Sequence, residues 1–392
     1  AHHYDVAGDT EQAVGWYLRS AEVAQSQYSN EEVISTLDHA IARLDEIPKD
    51  REQITWSYEL LADSLVIAGR FREADAAYRT ALDQSPEDDR LWRAGLYRKL
   101  VLIYPQQGRM KESDAVFNLA LDSLGPEPDN IEGFKWWRTW LDVQICRFEN
   151  LYYQARFDEM SALAEEIKPI LDQFGDLNHR KDYLNRLSLY VYRRDRFWLP
   201  LEAVEYMEEA WQIARTLGDP VKIASEGFDL GFALLFSGEY EKAALAFQQG
   251  LTKAESIDYL PVQNQCLVYL TILYRLSGDI ELARGIQTRS LEMAERVGAP
   301  VYIGTAEANQ SWLCYQDGQM GRAEASARKA LKIWQATPAY PFQWLAHWPL
   351  MGLLLARDEL QQAIISAKVM LDPAQQRLAD DVTEALKKAI QG

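Results

Sequence analysis

Cysteine is scarce in this 392-residue sequence, which has only Cys146, Cys266 and Cys314. The three are odd in number, lie far apart and sit in apolar stretches, and no CxxC pair occurs. These features exclude a disulfide framework and argue against a zinc knuckle. They are typical of a protein kept in a reducing compartment, so we expect a cytoplasmic location.

Positive charge is also in short supply, with 41 lysines and arginines against 59 aspartates and glutamates and a net charge of −18. A surface of that sign repels phosphates, which disfavours general binding to nucleic acids or anionic membranes. No apolar run reaches the ~18 residues that a bilayer-spanning helix needs. We therefore expect neither a nucleic acid nor a membrane as the partner.

The sequence lacks the short motifs that mark common catalytic and cofactor sites. It contains no GxxxxGK[ST], GxGxxG, GxSxG or HExxH pattern. Its carboxylate pairs, such as Glu165 and Glu166, are neighbours in sequence, and such neighbours do not face each other on a helix. We predict no enzyme activity, no cofactor and no metal site. An enzyme built on a helical toroid is the alternative that the sequence supports least.

What the sequence has instead is a repeated signature that starts at a turn residue. An apolar or aromatic residue follows at plus two, alanine at plus five, an aromatic or small residue at plus nine, and a small residue with leucine at plus twelve and thirteen. The clearest copies are Gly69, Phe71, Ala74, Tyr78, Ala81 and Leu82, and Gly238, Tyr240, Ala243, Phe247, Gly250 and Leu251.

The turn position recurs along the chain at intervals of 39 to 47 residues, and the last four intervals are 40 residues each. A fixed spacing of this size predicts a solenoid in which each unit packs on its neighbours. The predicted turn residues are Tyr28, Gly69, Gly108, Ala155, Trp198, Gly238, Gly278, Gly318 and Asp358.

Each unit is predicted to be a pair of antiparallel helices. Apolar residues recur at spacings of three and four beside each turn, as Leu61 and Leu65 do before Gly69. Glycine at the turn can adopt a positive φ and end the first helix without strain. Alanine at plus five lets the second helix approach the first closely. We therefore predict an all-α fold, a right-handed α-α superhelix of about eight to nine helical hairpins.

One repeat domain is predicted over residues 1–373. Extra residues between the turns at Gly108 and Ala155 predict irregular units near 125–200. The tail is more charged than the repeats, so a capping helix is predicted over 374–392 to solvate the end of the stack.

The unit around Gly69 resembles the tetratricopeptide repeat (TPR) family. The resemblance covers Glu11 to Leu371, although the period is about 40 residues where the family usually has ~34. Long units of this kind, together with the opening segment 1–13, resemble the sensor regions of large bacterial signalling ATPases and of the maltose-regulon activator. The residues that match the family motif are Tyr58, Leu61, Ala62, Leu65, Gly69, Phe71, Ala74, Tyr78, Ala81 and Pro86.

The resemblance implies that positions ten, six and three before each turn face a concave groove. Aromatic residues and arginine dominate binding hot spots, so this lining favours a protein or peptide ligand, or a small effector. The alternative is that these side chains are core residues between helices. The candidate binding residues are Arg98, Glu149, Tyr152, Tyr192, Phe228, Phe232, Arg275, Trp312, Tyr315 and Trp348.

A second candidate contact site consists of Trp136, Trp137 and Trp140. Three tryptophans within five residues cannot all lie on one face of a helix. At least one of them is therefore expected to be exposed, unless the preceding loop at 125–130 covers it.

These patterns together predict a non-catalytic repeat domain that binds a protein or peptide. The resemblance implies that it is the sensor or regulatory region of a larger bacterial signalling protein, with an ATPase domain upstream in the parent chain. A stand-alone adaptor with the same fold is the alternative.

Overall fold

The computed structural model describes residues 1–44, 50–128, 133–337 and 340–391, and every regular element in those ranges is helical. The predicted all-α, right-handed superhelix is confirmed. A short helix α1 (His2–Val6) comes first, and the nine antiparallel hairpins that follow in the described ranges have these bounds. They are α2 (Thr10–Ser26) with α3 (Asn30–Leu44), α4 (Arg51–Ile67) with α5 (Phe71–Gln84), α6 (Arg90–Ile103) with α7 (Met110–Leu124), α8 (Phe134–Tyr153) with α9 (Phe157–Phe174), α10 (Leu177–Arg194) with α11 (Leu201–Leu217), α12 (Pro220–Phe236) with α13 (Tyr240–Glu255), α14 (Leu260–Ser277) with α15 (Ile280–Val297), α16 (Pro300–Gln316) with α17 (Met320–Trp334), and α18 (Trp344–Leu355) with α19 (Leu360–Met370).

Two further elements complete the chain. A 3₁₀ turn, Pro105–Gln107, follows α6, and α20 (Asp380–Gln391) follows the last hairpin. The extra residues predicted near 125–200 include residues 129–132, which lie outside the described ranges, and α8 after them has 20 residues. The domain boundary after residue 373 stays a prediction.

The backbone adopts a positive φ at eight of the nine predicted turn residues. Five of them are glycines, for which this conformation costs little. Tyr28, Ala155 and Asp358 adopt it at 57°, 56° and 60°. In each of these turns the next residue donates its N–H to the carbonyl of the residue five positions earlier, as Ser29 does to Ala24 at 2.9 Å. This bond satisfies a free carbonyl at the helix end and stabilises the turn in place of glycine.

The unit predicted to turn at Trp198 differs from this pattern. Its positive-φ residues are Arg196 and Phe197, at 50° and 59°. The early turn places Phe197 in the core, with its ring centroid 4.6 Å from that of Phe342. Trp198 is 58% exposed. The turn therefore lies one to two residues before its predicted position because burial of Phe197 fixes it.

Close helix packing follows from small residues at the expected positions. The plus-five residues Ala74 and Ala243 have no exposed surface. A Cβ atom on Gly227 of α12 would lie 2.8 Å from the Cα atom of Gly250 on α13. Backbones this close leave no room for a side chain, so packing of the α12–α13 hairpin requires glycine here.

The superhelix closes one turn on itself. Asn30 at the start of α3 donates its side-chain N–H to the carbonyl of Ile257 at 2.9 Å, across 227 residues of sequence. A Cβ atom on Gly69 would lie 3.4 Å from Cγ2 of Val297. The 3₁₀ turn Pro105–Gln107 lies against α16. These contacts enclose the inner side of the first helices.

The segment between α19 and α20 is held against the irregular turn. Arg196 donates from Nε to the carbonyl of Gln375 at 3.1 Å and from Nη2 to that of Asp372 at 3.0 Å. The backbone N–H of Arg377 bonds to the carbonyl of Arg196 at 2.9 Å. The chain end is thus attached to the middle of the superhelix. Across the described ranges, none of the helices combines the length and the apolar character needed to cross a membrane.

Candidate functional site

A cavity of roughly 380 Å³ lies inside the closed turn of the superhelix. Its lining comes mainly from the first helices α8, α10, α12, α14 and α16, and Val66 and Phe71 of the second hairpin close one side. Its volume falls in the range of ~300–1,000 Å³ that is typical of pockets for small ligands.

The lining follows a regular spacing along the first helices. Positions nine and thirteen before the turn face the cavity in three successive hairpins, and position six does so in two of them. This stripe lies one helical turn earlier than the positions ten, six and three used for the sequence prediction. The residues at positions thirteen and nine are Asn185 and Leu189, Ser225 and Asp229, and Gln265 and Tyr269.

Lys181 forms the most buried ion pair of the lining. Its Nζ atom lies 2.9 Å from Oε1 of Glu226 and also contacts the Asp182 carboxylate. The side chains of Lys181 and Glu226 are only 7% and 2% exposed. Burial alone lowers the pKa of Lys181, but the charges of Glu226 and Asp182 outweigh that effect and raise it above its usual value. Lys181 is therefore positively charged.

Asn185 joins two carboxylates of the lining. Its Nδ2 atom donates to Oδ2 of Asp229 at 2.6 Å and to Oε2 of Glu226 at 3.2 Å. Burial, and then the negative charge of Glu226, raise the pKa of Asp229 to about 7. The hydrogen bond from Asn185 and the charges of Arg186 and Lys181 oppose this rise. Asp229 therefore gains or loses its proton near neutral pH.

A second polar group lies where α8 meets α10. Glu149 accepts a hydrogen bond from Nε2 of Gln106 at 2.9 Å. Its other oxygen lies 3.5 Å from Nη2 of Arg186, which is longer than a hydrogen bond of good geometry. Arg186 and Glu149 therefore form an ion pair without a hydrogen bond of good geometry.

Aromatic rings form the remaining wall. The rings of Phe228 and Tyr269 lie 5.5 Å apart in an edge contact, and Gln265 donates to the hydroxyl of Tyr302 at 2.7 Å. Burial raises the pKa of Tyr259, and the charge of Asp229 adds to that rise. The tyrosines therefore stay neutral, and they offer the cavity ring faces and hydroxyl groups.

Five of the ten predicted groove residues line this cavity, namely Glu149, Tyr152, Tyr192, Phe228 and Phe232. The four aromatic side chains among them also belong to the hydrophobic core. These four aromatic side chains therefore line the cavity and also form part of the core.

The other five predicted groove residues lie outside the lining. Arg275 is buried between the rings of Trp312 and Trp344, at 5.4 and 5.3 Å from their centroids. Its Nη2 atom donates to the carbonyl of Leu345 at 3.0 Å, and burial lowers its pKa to about 9. These contacts hold Arg275 inside the last hairpins.

Arg98 lies on α6, where the charge of Asp142 offsets the effect of burial and raises the arginine pKa. Tyr315 packs beside Cys314 and Leu353 in a small separate core, whereas Trp348 is 40% exposed on α18. The structure therefore does not bring these residues together with the cavity.

The tryptophan cluster on α8 is half-buried throughout. Nε1 of Trp136 donates to the carbonyl of Leu124 at 3.2 Å. Trp137 stacks on Phe174 with 5.3 Å between ring centroids, and the ring of Trp140 meets that of Trp137 at 5.8 Å. The tryptophan rings thus partly cover one another through edge and face contacts. That they form a contact surface for a partner stays a prediction.

Sequence reasoning did not single out Asp229, Asn185, Glu226 or Lys181 as site residues. Glu226 and Asp229, together with Ser225, lie on α12, whose other buried residues are apolar or glycine. Polar residues that recur four apart within an apolar stripe are the signal that identifies them, because a buried polar side chain needs a partner.

The side chains of the cavity are charged, polar and aromatic. In the described ranges no three His, Cys, Asp or Glu side chains come together as a metal ion would require. Burial raises the pKa of the Cys146 thiol to about 12, so it stays protonated. The cavity offers fixed charges, hydroxyl groups and ring faces.

Replacement of Asp229 by asparagine is expected to change how stability depends on pH. An acid whose pKa is higher in the folded state destabilises the fold as pH rises towards that pKa. Asparagine can still accept the Asn185 bond but carries no charge. Between pH 5.5 and 8 the variant should gain about 2 kcal/mol of stability over the wild type, at ~1.4 kcal/mol per pKa unit. Urea unfolding of both proteins at the two pH values measures this difference.

The matched control for this comparison is Glu281→Gln, because Glu281 is exposed on α15. Its stability relative to wild type should not change with pH. A difference between Asp229→Asn and wild type that stays constant from pH 5.5 to 8 would show that Asp229 is ionised throughout.

No known family profile matches the sequence, and no curated protein matches it. Solved structures do share the fold. A signal transduction ATPase with numerous domains and a tetratricopeptide repeat sensor, from Pyrococcus horikoshii, has a TM-score of 0.52 at 18% identity, over 97% of this chain and 55% of that one. A Rap protein complexed with competence and sporulation factor has a TM-score of 0.51 at 12% identity, over 90% and 99% of the two chains. Aspartyl phosphate phosphatase F from Bacillus subtilis has a TM-score of 0.51 at 14% identity, over 95% and 96%.

At these identities the likeness concerns the fold, and it confirms the resemblance to TPR-like superhelices. The chain spans about half the length of the ATPase it matches, 55% of that chain.

Proposed function

We propose that this chain is a non-catalytic, cytoplasmic repeat domain that binds a short peptide or small effector in the central cavity. In this proposal it is the sensor or regulatory region of a larger bacterial signalling protein that carries an ATPase domain. The observation that carries the proposal is the enclosure of the cavity by distant hairpins. Val66 of α4 and Tyr302 of α16 both line it.

A ligand in this cavity contacts several hairpins at once. In a solenoid each unit touches only its neighbours, so small rotations between units add up along the stack. A ligand that binds better to the closed turn than to a more open one shifts the equilibrium between them. The resulting change in superhelix pitch would move the two ends of the domain relative to each other and so reach an attached domain.

The fold comparisons support this function. One similar structure is named as a tetratricopeptide repeat sensor within a signal transduction ATPase, and another was solved as a complex with a factor. The buried, free state of Cys146, Cys266 and Cys314 fits a reducing compartment. The cavity, with its paired charges, hydroxyl groups and aromatic rings, is suited to recognition.

Filling the cavity is expected to abolish ligand retention. The variant Ser225→Phe places a ring into the space beside Asp229, because Ser225 lines the cavity and is small. Wild-type protein is mixed with a library of random pentapeptides and with a metabolite extract of the native cells. Compounds retained on ultrafiltration are then identified by mass spectrometry. Wild type should retain a defined set that Ser225→Phe loses by at least tenfold.

The control variant is Ser26→Phe, which adds the same ring at an exposed position at the end of α2. It should retain the same compounds as wild type, and circular dichroism should show equal helix content for all three proteins. Retention that Ser225→Phe leaves intact would refute binding in the cavity.

A further inference from the structure

The lining of the central cavity carries more negative than positive charge. Among the described residues of the lining there are four carboxylates against one lysine and one arginine, and no histidine. The carboxylates belong to Glu149, Asp182, Glu226 and Asp229, and the cations to Lys181 and Arg186.

The cations of the lining are already engaged by the other three carboxylates. Lys181 lies between Glu226 and Asp182, and the nearest carboxylate of Arg186 is that of Glu149 at 3.5 Å. Among the described residues no lysine or arginine nitrogen lies within 4.0 Å of Asp229. Its hydrogen bond comes from the neutral amide of Asn185, at 2.6 Å. Asp229 is therefore the lining carboxylate that lacks a cation.

The same amide holds Glu226 at 3.2 Å, so two carboxylates converge on one neutral donor. A buried negative charge without a cation destabilises a folded protein. A cation supplied by a ligand would offset that cost, whereas an anionic group would increase it.

Aromatic rings line the same cavity as this carboxylate. Phe228 is the residue before Asp229 on α12, and its ring meets that of Tyr269 at 5.5 Å. Tyr259 faces the same cavity. Ring faces attract cations by ~0.5–2 kcal/mol each, and more when water is excluded. They also pack against the apolar stem of a basic side chain.

We propose that the cavity recognises a positively charged group of its ligand, the guanidinium or ammonium of a basic peptide side chain, which pairs with Asp229 beside Phe228, Tyr259 and Tyr269. This inference rests on the proposed function and names the chemistry of its ligand. A cavity of roughly 380 Å³ has room for one such side chain and adjoining backbone.

A metal ion fits this site less well than an organic cation. The described residues contain no group of three His, Cys, Asp or Glu side chains placed to hold a metal. Glu226 is already paired with Lys181, which leaves one free carboxylate. One carboxylate in a cavity that is also lined by aromatic rings suits a group of charge +1 with an apolar stem.

The test uses the pentapeptides that wild type retains from the random library. Arginine or lysine should be enriched at least threefold over the input at one position. The best peptide is then synthesised in two forms, with arginine or with its neutral isostere citrulline at that position. Isothermal titration calorimetry measures both forms against wild type, Asp229→Asn and the exposed control Glu281→Gln.

The arginine peptide should bind Asp229→Asn at least tenfold more weakly than wild type, and citrulline should cost wild type a similar factor. In the Asp229→Asn protein the two peptides should bind alike, because the charge pair that distinguishes them is gone. The Glu281→Gln protein should bind as wild type does.

Three results would overturn this inference. One is retention of peptides with no preference for basic residues. Another is equal affinity of wild type and Asp229→Asn for the arginine peptide. In both cases the proposed function still holds if wild type retains ligands that the Ser225→Phe variant does not retain. The third is retention of nothing that depends on the cavity, which removes the proposed function as well.

Agmatine, a free guanidinium compound, is titrated in parallel. Binding of agmatine to wild type but not to Asp229→Asn would identify the source of the cation as a small amine. That result supports recognition of a cation and overturns its assignment to a peptide side chain if no basic peptide is retained.

Discussion

The Lys181→Met variant should lose about 3–5 kcal/mol of stability, the range found when one partner of a buried ion pair is removed. Methionine preserves much of the volume but leaves Glu226 and Asp182 without the ammonium group that pairs with them. Glu226 is 1% exposed and cannot turn to solvent. Urea unfolding followed by circular dichroism measures the loss.

The double variant Lys181→Met/Glu226→Gln should recover most of the stability, because it removes the unpaired charge that makes the single variant costly. The exposed pair of Lys168 and Asp172 supplies the matched control, and Lys168→Met should change stability by less than about 1 kcal/mol. If Lys181→Met unfolds at the same urea concentration as Lys168→Met, the central pair contributes nothing to the fold.

The second large effect is expected for Phe232→Ala, which should destabilise the protein by about 3–5 kcal/mol. The Phe232 ring lies within 6.2 Å of six other rings, the nearest of which are Phe236 at 4.8 Å and Tyr269 at 5.0 Å. Truncation removes one ring from a cluster that joins α10, α12, α14 and the residues before α18. Thermal and urea unfolding measure the effect.

Phe157→Ala is the control, because Phe157 is a phenylalanine at the exposed start of α9. It should change stability by no more than about 0.5 kcal/mol. Equal stability of the two variants would show that the central cluster packs loosely enough to tolerate a void.

The expected loss in Phe232→Ala bears on how binding variants are designed. Phe232 lines the cavity and also holds hairpins together, so a loss of binding in that variant does not locate recognition. Asp229→Asn and Ser225→Phe change the lining without removing a ring from the core. They therefore separate recognition from folding.

The proposed cation pairing and the pH dependence of stability depend on the same carboxylate. A ligand cation beside Asp229 would lower the pKa of that carboxyl group from its value of about 7 in the free protein. Ligand binding and deprotonation of Asp229 are then linked, and the affinity for the arginine peptide should rise between pH 6 and 8.

The sequence by itself determined the units and their turns. The turns at Tyr28, Ala155 and Asp358 were predicted although none of these residues is glycine, because the motif within each unit defines where its first helix ends. All three residues adopt a positive φ. The plus-five alanines are buried as expected for a close crossing. These features depend on contacts within about 40 residues, so one copy of the repeat contains the information for them.

Part of the site was also within reach of the sequence. Phe228 and Phe232 were placed on the inner face by the family pattern, and both line the cavity. The pattern missed Asp229 and Asn185, because the helices are longer than the usual family unit. The stretch that faces the cavity therefore lies one helical turn earlier, at ~3.6 residues per turn.

Only the tertiary structure decided that the groove is closed. Contact between Asn30 and Ile257 depends on rotations that accumulate over more than five hairpins. A small change in rotation per unit would separate these residues, and no single repeat encodes that sum. The irregular turn at Phe197 is likewise fixed by its contact with Phe342, which is remote in sequence. The charged residues of the cavity lie on the successive helices α8, α10 and α12, and the closed turn places the distant residues Val66 and Tyr302 in the same lining.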